Sequence, residues 1–179
     1  MNGREILIGV SGGIAAYKTA ALVSQLVQAG AGVSVAMTKA ATRFVGKTTF
    51  AALTGRQVAT RVFDDATHPL GAHIALAEQA ELFCVAPATA NFLAKAATGL
   101  ADDLLSTLYL AFPKTIIVAP AMNCEMWDKP AVQRNLQQMR DDGVQIVDPE
   151  EGWLSCRTRG VGRMASPETI LAAIQQHLG

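Results

Sequence analysis

An apolar run at 116–119 leads directly into the sequence Pro-Ala-Met-Asn-Cys-Glu-Met-Trp at 120–127. The run has the composition of a buried strand. An amide and two thioethers at the exit of such a strand suit the wall of a pocket better than a core. Asn123 can donate and accept hydrogen bonds, which is enough to orient a carboxylate or an amide, and Met126 offers an apolar surface. The segment therefore predicts a ligand pocket at this end of the strand.

A second segment, 154–164, places one thiol, Cys156, among glycines and three arginines. Glycines favour a mobile flap, and arginines favour an anion. Cations near a sulfur lower the pKa of its thiol, and the sequence leaves open whether Arg157 or Arg159 reaches Cys156. A reactive flap thiol and a loop thiol beside a solvated basic face are equally good interpretations of these residues. Cys84 and Cys124 are better explained as small packing residues.

Together these segments resemble the PxMNxxMW motif and the cysteine-bearing flap of the flavin-dependent cysteine decarboxylases. That family includes phosphopantothenoylcysteine decarboxylases, alone or as half of a bifunctional protein, and peptidyl-cysteine decarboxylases of lantibiotic synthesis. The resemblance covers about 6–164 and is closest to the first group. It implies FMN-dependent decarboxylation of 4′-phospho-N-pantothenoylcysteine to 4′-phosphopantetheine in coenzyme A biosynthesis. The implied steps are thiol oxidation to a thioaldehyde, loss of CO₂ and reduction of the ene-thiol.

The resemblance also implies roles for single residues. Cys156 is the expected proton donor in the last step, and Asn123 is expected to hold the carboxyl end of the substrate. His73 is the expected base for the oxidation. A histidine before alternating apolar residues is more often structural, but the family has its histidine in the same HIxL context, whereas His68 and His177 are expected at the surface. The substrate-binding residues implied are Asn123, Met126, Arg159, Arg163 and Met164.

A glycine-rich turn at 9–13 indicates where a phosphate would bind. Glycines allow close approach of the backbone, and free N–H groups at a helix start favour an anion. The signal is weak by itself, because such turns also serve tight packing and Ser11 replaces the second glycine of GxGxxG. The next strand ends at Thr38 without the acidic residue that a dinucleotide site requires, so a mononucleotide is favoured over NAD.

Small residues at 86–91 leave space for a flat ring, although Thr89 is also a plausible helix N-cap. The family carries FMN at these places. The predicted FMN-binding residues are Ser11, Gly12, Gly13, Thr38, Phe44, Pro87, Ala88, Thr89, Ala90 and Ala121.

The flap departs from the family pattern at one point. The family has Cys-Gly-Asp where this chain has Cys156-Arg157-Thr158, while Gly160, Gly162, Arg163 and Met164 match. The additional positive charge favours a phosphorylated substrate over a peptide. A peptidyl-cysteine decarboxylase remains an alternative, since it would use the same residues. A flavin prenyltransferase would need neither the Asn123 segment nor the flap thiol. In a non-catalytic regulatory flavoprotein, neither Cys156 nor His73 would have a functional role.

The elements that must position these residues alternate along the chain. Strands are predicted at 6–10, 33–37, 58–63 (weakly), 82–86, 116–119 and 144–147, and helices at 14–29, 46–53, 91–97, 103–111, 130–142 and 167–178. Continuous apolar strands separated by helices indicate a parallel sheet covered on both faces. The fold class predicted is α/β: one doubly wound Rossmann-like domain over 1–179, with about six mostly parallel strands, a flavodoxin-like nucleotide site and a mobile substrate flap at about 148–164.

Composition excludes several classes of function. The 179 residues carry 15 acidic and 15 basic side chains, so no net charge points to nucleic acid or an anionic membrane. Three widely spaced cysteines argue against disulfides or structural zinc and for a reducing, cytoplasmic compartment. No signal peptide is expected, and no apolar run approaches the roughly 20 residues that span a bilayer. A mean hydropathy of +0.25 suits subunit contacts or a well-covered sheet. The resemblance implies a homotrimer or homododecamer with flavin between subunits.

Overall fold

A parallel sheet forms the centre of the computed structural model, which describes residues 1–63 and 71–179. Within those residues it has five strands: β1 (Glu5–Val10), β2 (Gly32–Met37), β3 (Leu82–Ala88), β4 (Thr115–Pro120) and β5 (Gln145–Ile146). Their spatial order is β2-β1-β3-β4-β5, and neighbouring strands are parallel. Ile8 of β1 pairs with Val35 of β2 and with Cys84 of β3. This is the strand order of flavodoxin-like folds.

Helices cover both faces of the sheet. In the two described ranges they are α1 (Ala16–Gln28), α2 (Lys47–Thr54), α3 (Ala72–Gln79), α4 (Ala90–Thr98), α5 (Leu104–Ala111), α6 (Cys124–Trp127), α7 (Pro130–Asp141) and α8 (Pro167–Leu178), with a short 3₁₀ turn at Ala41–Arg43. Successive strand residues point to opposite faces. Ile6 and Ile8 therefore pack with α1, α2 and α8, whereas Leu7 packs with α3, α4, α5 and α7. The predicted doubly wound α/β class is confirmed.

The sequence predictions and the structure differ at two places beside the sheet. Of 58–63, only Ala59 pairs with the sheet, through a single bridge to Ala36, so the sheet has five strands where about six were predicted. Helix α3 was not predicted. Its eight residues bury Ala72, Leu76 and Ala77 on one side, but the run is too short for its period to distinguish helix from strand. His68 lies outside the described residues.

The predicted flap at 148–164 contains an antiparallel hairpin. Its strands are β6 (Glu150–Trp153) and β7 (Arg159–Arg163), and Gly152 pairs with Gly160. Glycines and charged side chains hide the strand pattern here, because neither strand shows a continuous apolar run. Its mobility stays a prediction. Across the two described ranges, no helix combines the length and apolar character needed to cross a membrane.

Candidate active site

A cavity of about 790 Å³ opens where the strand order reverses, between β1 and β3. Open α/β sheets bind ligands in this crevice, beyond the carboxyl ends of the strands, and the volume lies in the usual range of about 300–1,000 Å³. Its walls come from the β1–α1 turn, the ends of β2, β3 and β4, and the hairpin. The predicted site residues that line it are Ser11, Gly12, Gly13, Thr38, Thr89, Ala90, Ala121, Asn123, Met126, Cys156, Arg163 and Met164.

Ser11 joins two of the loops that form the cavity floor. It is 2% exposed, and its hydroxyl donates to the Pro87 carbonyl at 2.7 Å and accepts from the Thr89 N–H at 2.9 Å. The Ser11 N–H donates to the same Pro87 carbonyl at 3.2 Å. Thr89 is also the N-cap of α4, accepting from the Phe92 N–H at 3.4 Å. Thr89 therefore both caps the helix and lines the cavity.

The start of α1 supplies unpaired donors to the cavity. Gly12, Ile14 and Ala15 line it, and their N–H groups make no hydrogen bond to any residue that the structure describes. A Cβ at Gly12 would collide with the Cβ of Ala40, so the close approach of these loops requires glycine. Free N–H groups at the start of a 13-residue helix form an anion site. This part of the cavity therefore fits the phosphate of a mononucleotide.

Thr38 lies beside this anion site. Its hydroxyl oxygen accepts from the Ala41 N–H at 3.1 Å, which leaves the hydroxyl hydrogen free to donate to a ligand. Lys39 is the next residue of the lining, and no carboxylate follows β2 in this wall. The arrangement favours a phosphate over a ribose diol at this position.

Asn123 is held at the exit of β4 by its own helix. Its Oδ1 accepts from the Glu125 N–H at 2.7 Å and caps α6. Because the oxygen is used, the amide NH₂ is the group that Asn123 presents to the cavity. The preceding residue, Met122, donates its N–H to the Gly162 carbonyl at 2.9 Å. The β4 exit and the hairpin are thus tied together.

Gly162 is required for that connection. Its φ is +141°, and a Cβ there would collide with the Met122 carbonyl oxygen. Glycine permits both the backbone conformation and the close contact. This explains structurally why a glycine stands here in the flap.

Cys156 lies in the turn of the hairpin with its sulfur 3.0 Å from the Thr158 hydroxyl. The hydrogen bond from Thr158 is the main cause that lowers the pKa of the Cys156 thiol, and slight burial opposes it. The Thr158 N–H and the Asn123 amide act in the same direction as the hydroxyl. The arginines are not among these causes, and Arg159 instead lies 3.4 Å from the Glu151 carboxylate. The pKa of the Cys156 thiol is therefore lowered by hydrogen bonds.

Lys18 is a cavity residue that the sequence analysis missed. It is 9% exposed, and its Nζ donates to the Met164 carbonyl at 2.8 Å, which fixes the end of the hairpin to α1. Burial lowers the pKa of Lys18, and the nearby Arg163 adds to this effect. On an apolar helix face a single lysine has no distinguishing pattern, because long side chains commonly cover such faces.

Lys95 and Asp103 form a second missed group in the lining. The Lys95 Nζ lies 2.6 Å from Asp102 and 2.8 Å from Asp103. Burial opposes the charge, but the two carboxylates raise the pKa of Lys95. Asp103 also caps α5 through the Ser106 N–H at 2.9 Å. This pair fixes α4 against α5 and remains charged in the cavity wall.

Several predicted site residues do not line the cavity of their own chain. Pro87 and Ala88 lie directly beneath it, where the Ala88 carbonyl accepts from the Ala121 N–H at 3.0 Å. Phe44 is 49% exposed at the end of the 3₁₀ turn. Arg159 points outward to Glu151. The remaining residue is His73, on α3.

His73 is not among the residues that line the cavity of its own chain. Its Nδ1 is buried and has no hydrogen-bond partner among residues 1–63 and 71–179. Because α3 leads into β3, it runs antiparallel to the strands and begins at their carboxyl edge. His73 therefore lies at the same edge as the cavity without reaching into it, and its catalytic role stays a prediction. The described residues hold no group of three or more metal-binding side chains.

Comparisons with known proteins cover the whole chain. The family model described as Flavoprotein matches residues 1–179. The coenzyme A biosynthesis bifunctional protein CoaBC of Bacillus subtilis (strain 168) is 47% identical over 177 residues, or 99% of this chain and 44% of that protein. The chain thus spans less than half the length of the curated relatives it matches.

Solved structures share the fold over the same span. A mutant PPC decarboxylase complexed with pantothenoylaminoethenethiol has a TM-score of 0.87 at 29% identity, covering 98% of both chains. The FMN-dependent cysteine decarboxylase SpaF has a TM-score of 0.85 at 36% identity, covering 99% of this chain and 98% of SpaF.

Proposed function

We propose a function that starts from one premise: this chain belongs to the Flavoprotein family. The proposed function is to bind FMN and to decarboxylate 4′-phospho-N-pantothenoylcysteine to 4′-phosphopantetheine in coenzyme A biosynthesis. The observation that carries the proposal is that the anion site of α1, the Asn123 amide and the Cys156 thiol share one cavity. The CoaBC relatives and the PPC decarboxylase structure support this substrate.

The cavity fits FMN at its phosphate end. The N–H groups of Gly12, Ile14 and Ala15 and the hydroxyl of Thr38 would hold the phosphate, and Ala90 and Ala121 leave room for a flat ring. When bound, FMN supplies the two-electron oxidation of the substrate thiol and later returns the electron pair. The thioaldehyde formed from the substrate is the electron sink that allows CO₂ to leave.

The protein orients the substrate and moves its protons. The Asn123 amide, fixed through its oxygen to α6, donates to the substrate carboxylate. After CO₂ leaves, the ene-thiol is reduced, and Cys156 gives the proton. The overall reaction is redox-neutral: the substrate loses CO₂ and takes up one proton at carbon. A lowered pKa makes the Cys156 thiol a stronger proton donor for this step.

His73 is proposed as the base for thiol oxidation in a site completed by another copy of the chain. This arrangement is motivated by the absence of His73 from the lining of the cavity in its own chain. Exposed apolar side chains lie around the same edge, including Ile14 at 55% and Tyr17 at 61% exposed. Such side chains are suited to burial between subunits. We therefore propose a homotrimer, or a homododecamer built as a tetramer of trimers.

The hairpin is proposed to act as the mobile flap of one domain over 1–179, with Met126, Arg159, Arg163 and Met164 contacting the substrate. The free cysteines fit a cytoplasmic reaction. A peptidyl-cysteine decarboxylase is the second candidate, because it would use the same thiol and amide.

The test is an absorbance spectrum of the purified protein followed by anaerobic addition of phosphopantothenoylcysteine. A yellow protein that releases CO₂ and forms phosphopantetheine supports the proposal. A yellow protein inert to this substrate but active on a cysteine-terminated peptide would support the second candidate. A protein that stays colourless after FMN is added would overturn both.

A further inference from the structure

Thr158 lies between two sulfur atoms at the cavity mouth. Its Oγ1 is 3.0 Å from the Cys156 Sγ and 3.8 Å from the Cys124 Sγ. The first distance is short for a hydrogen bond to sulfur and the second is marginal. Thr158 is therefore primarily a partner of Cys156.

The backbone of the turn enforces this pairing. The Leu154 N–H donates to the Thr158 carbonyl at 2.9 Å, and the Arg157 N–H donates to the Leu154 carbonyl at 2.9 Å. Arg157 takes a left-handed φ of 64°, which closes the turn between the two side chains. Thr158 directly precedes β7, which pairs with β6 and is tied to the β4 exit. The Thr158 hydroxyl thus lies next to a hydrogen-bonded strand, whereas the Cys156 thiol lies in the turn.

A hydroxyl suits both protonation states of a thiol. It accepts from S–H and, after rotation, donates to the thiolate that remains when the proton has left. A hydrogen bond to a charged group is stronger than one to a neutral group, so the balance favours the thiolate. A valine would lose both interactions, and an aspartate would repel the thiolate.

We propose that Thr158 is the positioning residue of Cys156: its hydroxyl holds the sulfur at the cavity mouth and stabilises the thiolate that remains after proton transfer. The inference rests on the proposed role of Cys156 as proton donor. In that step the S–H bond breaks, its proton passes to a substrate carbon, and the electron pair for the ene-thiol comes from the reduced FMN. The Cys156 thiolate then recovers a proton from water.

The charged groups near this turn do not explain the tuning of the thiol. Arg159 faces Glu151 on the neighbouring strand, and Lys18 donates to the Met164 carbonyl. Arg157 and Arg163 are the other cations of the hairpin, and Glu125 follows Cys124 on α6. The hydrogen bond with Thr158 is the largest cause that lowers the pKa of the Cys156 thiol.

The experiment measures the alkylation rate of Cys156 by iodoacetamide across pH in the FMN-loaded protein. Trypsin should release Cys156 on the peptide 141–157 and Cys124 on 115–134, so mass spectrometry follows each thiol separately. The variants are Thr158→Val, Thr158→Ser and Thr158→Asp. In Thr158→Val the rate at neutral pH should fall at least about twofold, with the profile displaced to higher pH. Thr158→Ser should keep the wild-type profile, and Thr158→Asp should move it further upward.

Cys124 serves as an internal control in the same digests, because its contact with Thr158 is marginal and its profile should hardly move. Arg157→Gln and Arg159→Gln test the competing explanation. The inference would be overturned if the pH profile of Cys156 alkylation were the same in Thr158→Val and in the wild type. It would also be overturned if only the arginine variants displaced that profile. Circular dichroism and the flavin spectrum report whether each variant is folded and loaded.

Activity separates this inference from the proposed function. In Thr158→Val, CO₂ release should persist while ene-thiol accumulates, and Thr158→Ser should restore the saturated product. Equal product ratios in Thr158→Val and wild type across pH would overturn the positioning role. A wild-type protein that releases no CO₂ would refute the proposed function, while the alkylation profiles would still decide whether Thr158 governs the thiol.

Discussion

Replacement of Ser11 by alanine tests whether one buried hydroxyl holds the floor of the cavity together. The hydroxyl joins the β1–α1 turn to the β3–α4 loop through the Pro87 carbonyl and the Thr89 N–H. In Ser11→Ala the Pro87 carbonyl keeps the Ser11 N–H at 3.2 Å, so it loses only one of two donors. The Thr89 N–H loses its acceptor in a site where Ser11 is 2% exposed.

The magnitude follows from that unpaired donor. A part-buried N–H without a partner costs about 1 kcal/mol, which for a chain of this size corresponds to about 2–4 °C in Tm. The FMN-free protein should show this loss in thermal and urea denaturation. FMN binding, followed by quenching of flavin fluorescence, should also weaken because the two loops that line the phosphate end are no longer joined.

Ser24→Ala is the matched control. The Ser24 hydroxyl accepts from Gln28 on an exposed part of α1, at 2.9 Å, and its removal should change stability by less than about 0.5 kcal/mol. If Ser11→Ala is as stable as Ser24→Ala and binds FMN equally well, Ser11 does not hold the two loops and this reasoning is wrong.

Three further predictions concern the substrate, the sheet edge and the assembly. Asn123→Asp keeps the cap of α6 but loses the amide donor, so it should fold normally and bind substrate at least about tenfold more weakly. Arg56→Met should weaken the dependence of stability on acid pH. In the wild type Arg56 lowers the pKa of the Glu5 carboxyl in the folded state. The resulting stabilisation is present above the usual carboxyl pKa of 4.5 and is lost as the pH falls through the lower pKa of the folded state. Mixed oligomers of His73→Asn and Cys156→Ser chains should regain activity, since intact sites form between copies.

Each of these predictions has a contradicting result. Equal substrate affinity of Asn123→Asp and wild type would remove the carboxylate-binding role. The Arg56→Met comparison is made by urea denaturation between pH 3 and 7, and parallel stability curves would mean that the ion pair contributes nothing measurable. Mixed oligomers as inactive as their parents, despite exchange of subunits shown by mass spectrometry, would place the whole site within one chain.

The basic flap also predicts a preference between substrates. Removal of the substrate phosphate should weaken binding, measured by calorimetry on the FMN-loaded protein. Equal affinity for phosphorylated and unphosphorylated substrate would show that the flap cations do not recognise the phosphate.

The sequence predicts the sheet better than it predicts the edges of the fold. Strands such as β3 are continuous apolar runs because helices cover both faces, and this pattern is strong enough to predict the fold class. The weak candidate at 58–63 and helix α3 are both short runs, which carry little periodicity.

In the candidate site, too, some residues could be predicted from the sequence and others could not. Asn123, Thr38 and the glycine turn are recognisable because they follow strands directly, and parallel strands end at one edge. Lys18 was missed because its partner, Met164, is distant in the chain. Lys95 was missed because its partner, Asp103, caps the next helix and so lies outside the periodic pattern of α4. The sequence also left open what lowers the pKa of the Cys156 thiol. Neighbours in the sequence suggested arginines, whereas the turn brings the Thr158 hydroxyl to the sulfur.

The measurement that tests the central claim most directly is the product of the Cys156→Ser variant under anaerobic conditions. FMN-loaded variant and wild type are mixed with phosphopantothenoylcysteine, and CO₂ and the product mass are recorded together. The variant should release CO₂ and stall at the ene-thiol, lighter than phosphopantetheine by one pair of hydrogen atoms. Full formation of phosphopantetheine by Cys156→Ser would contradict the assignment of the flap thiol as the final proton donor.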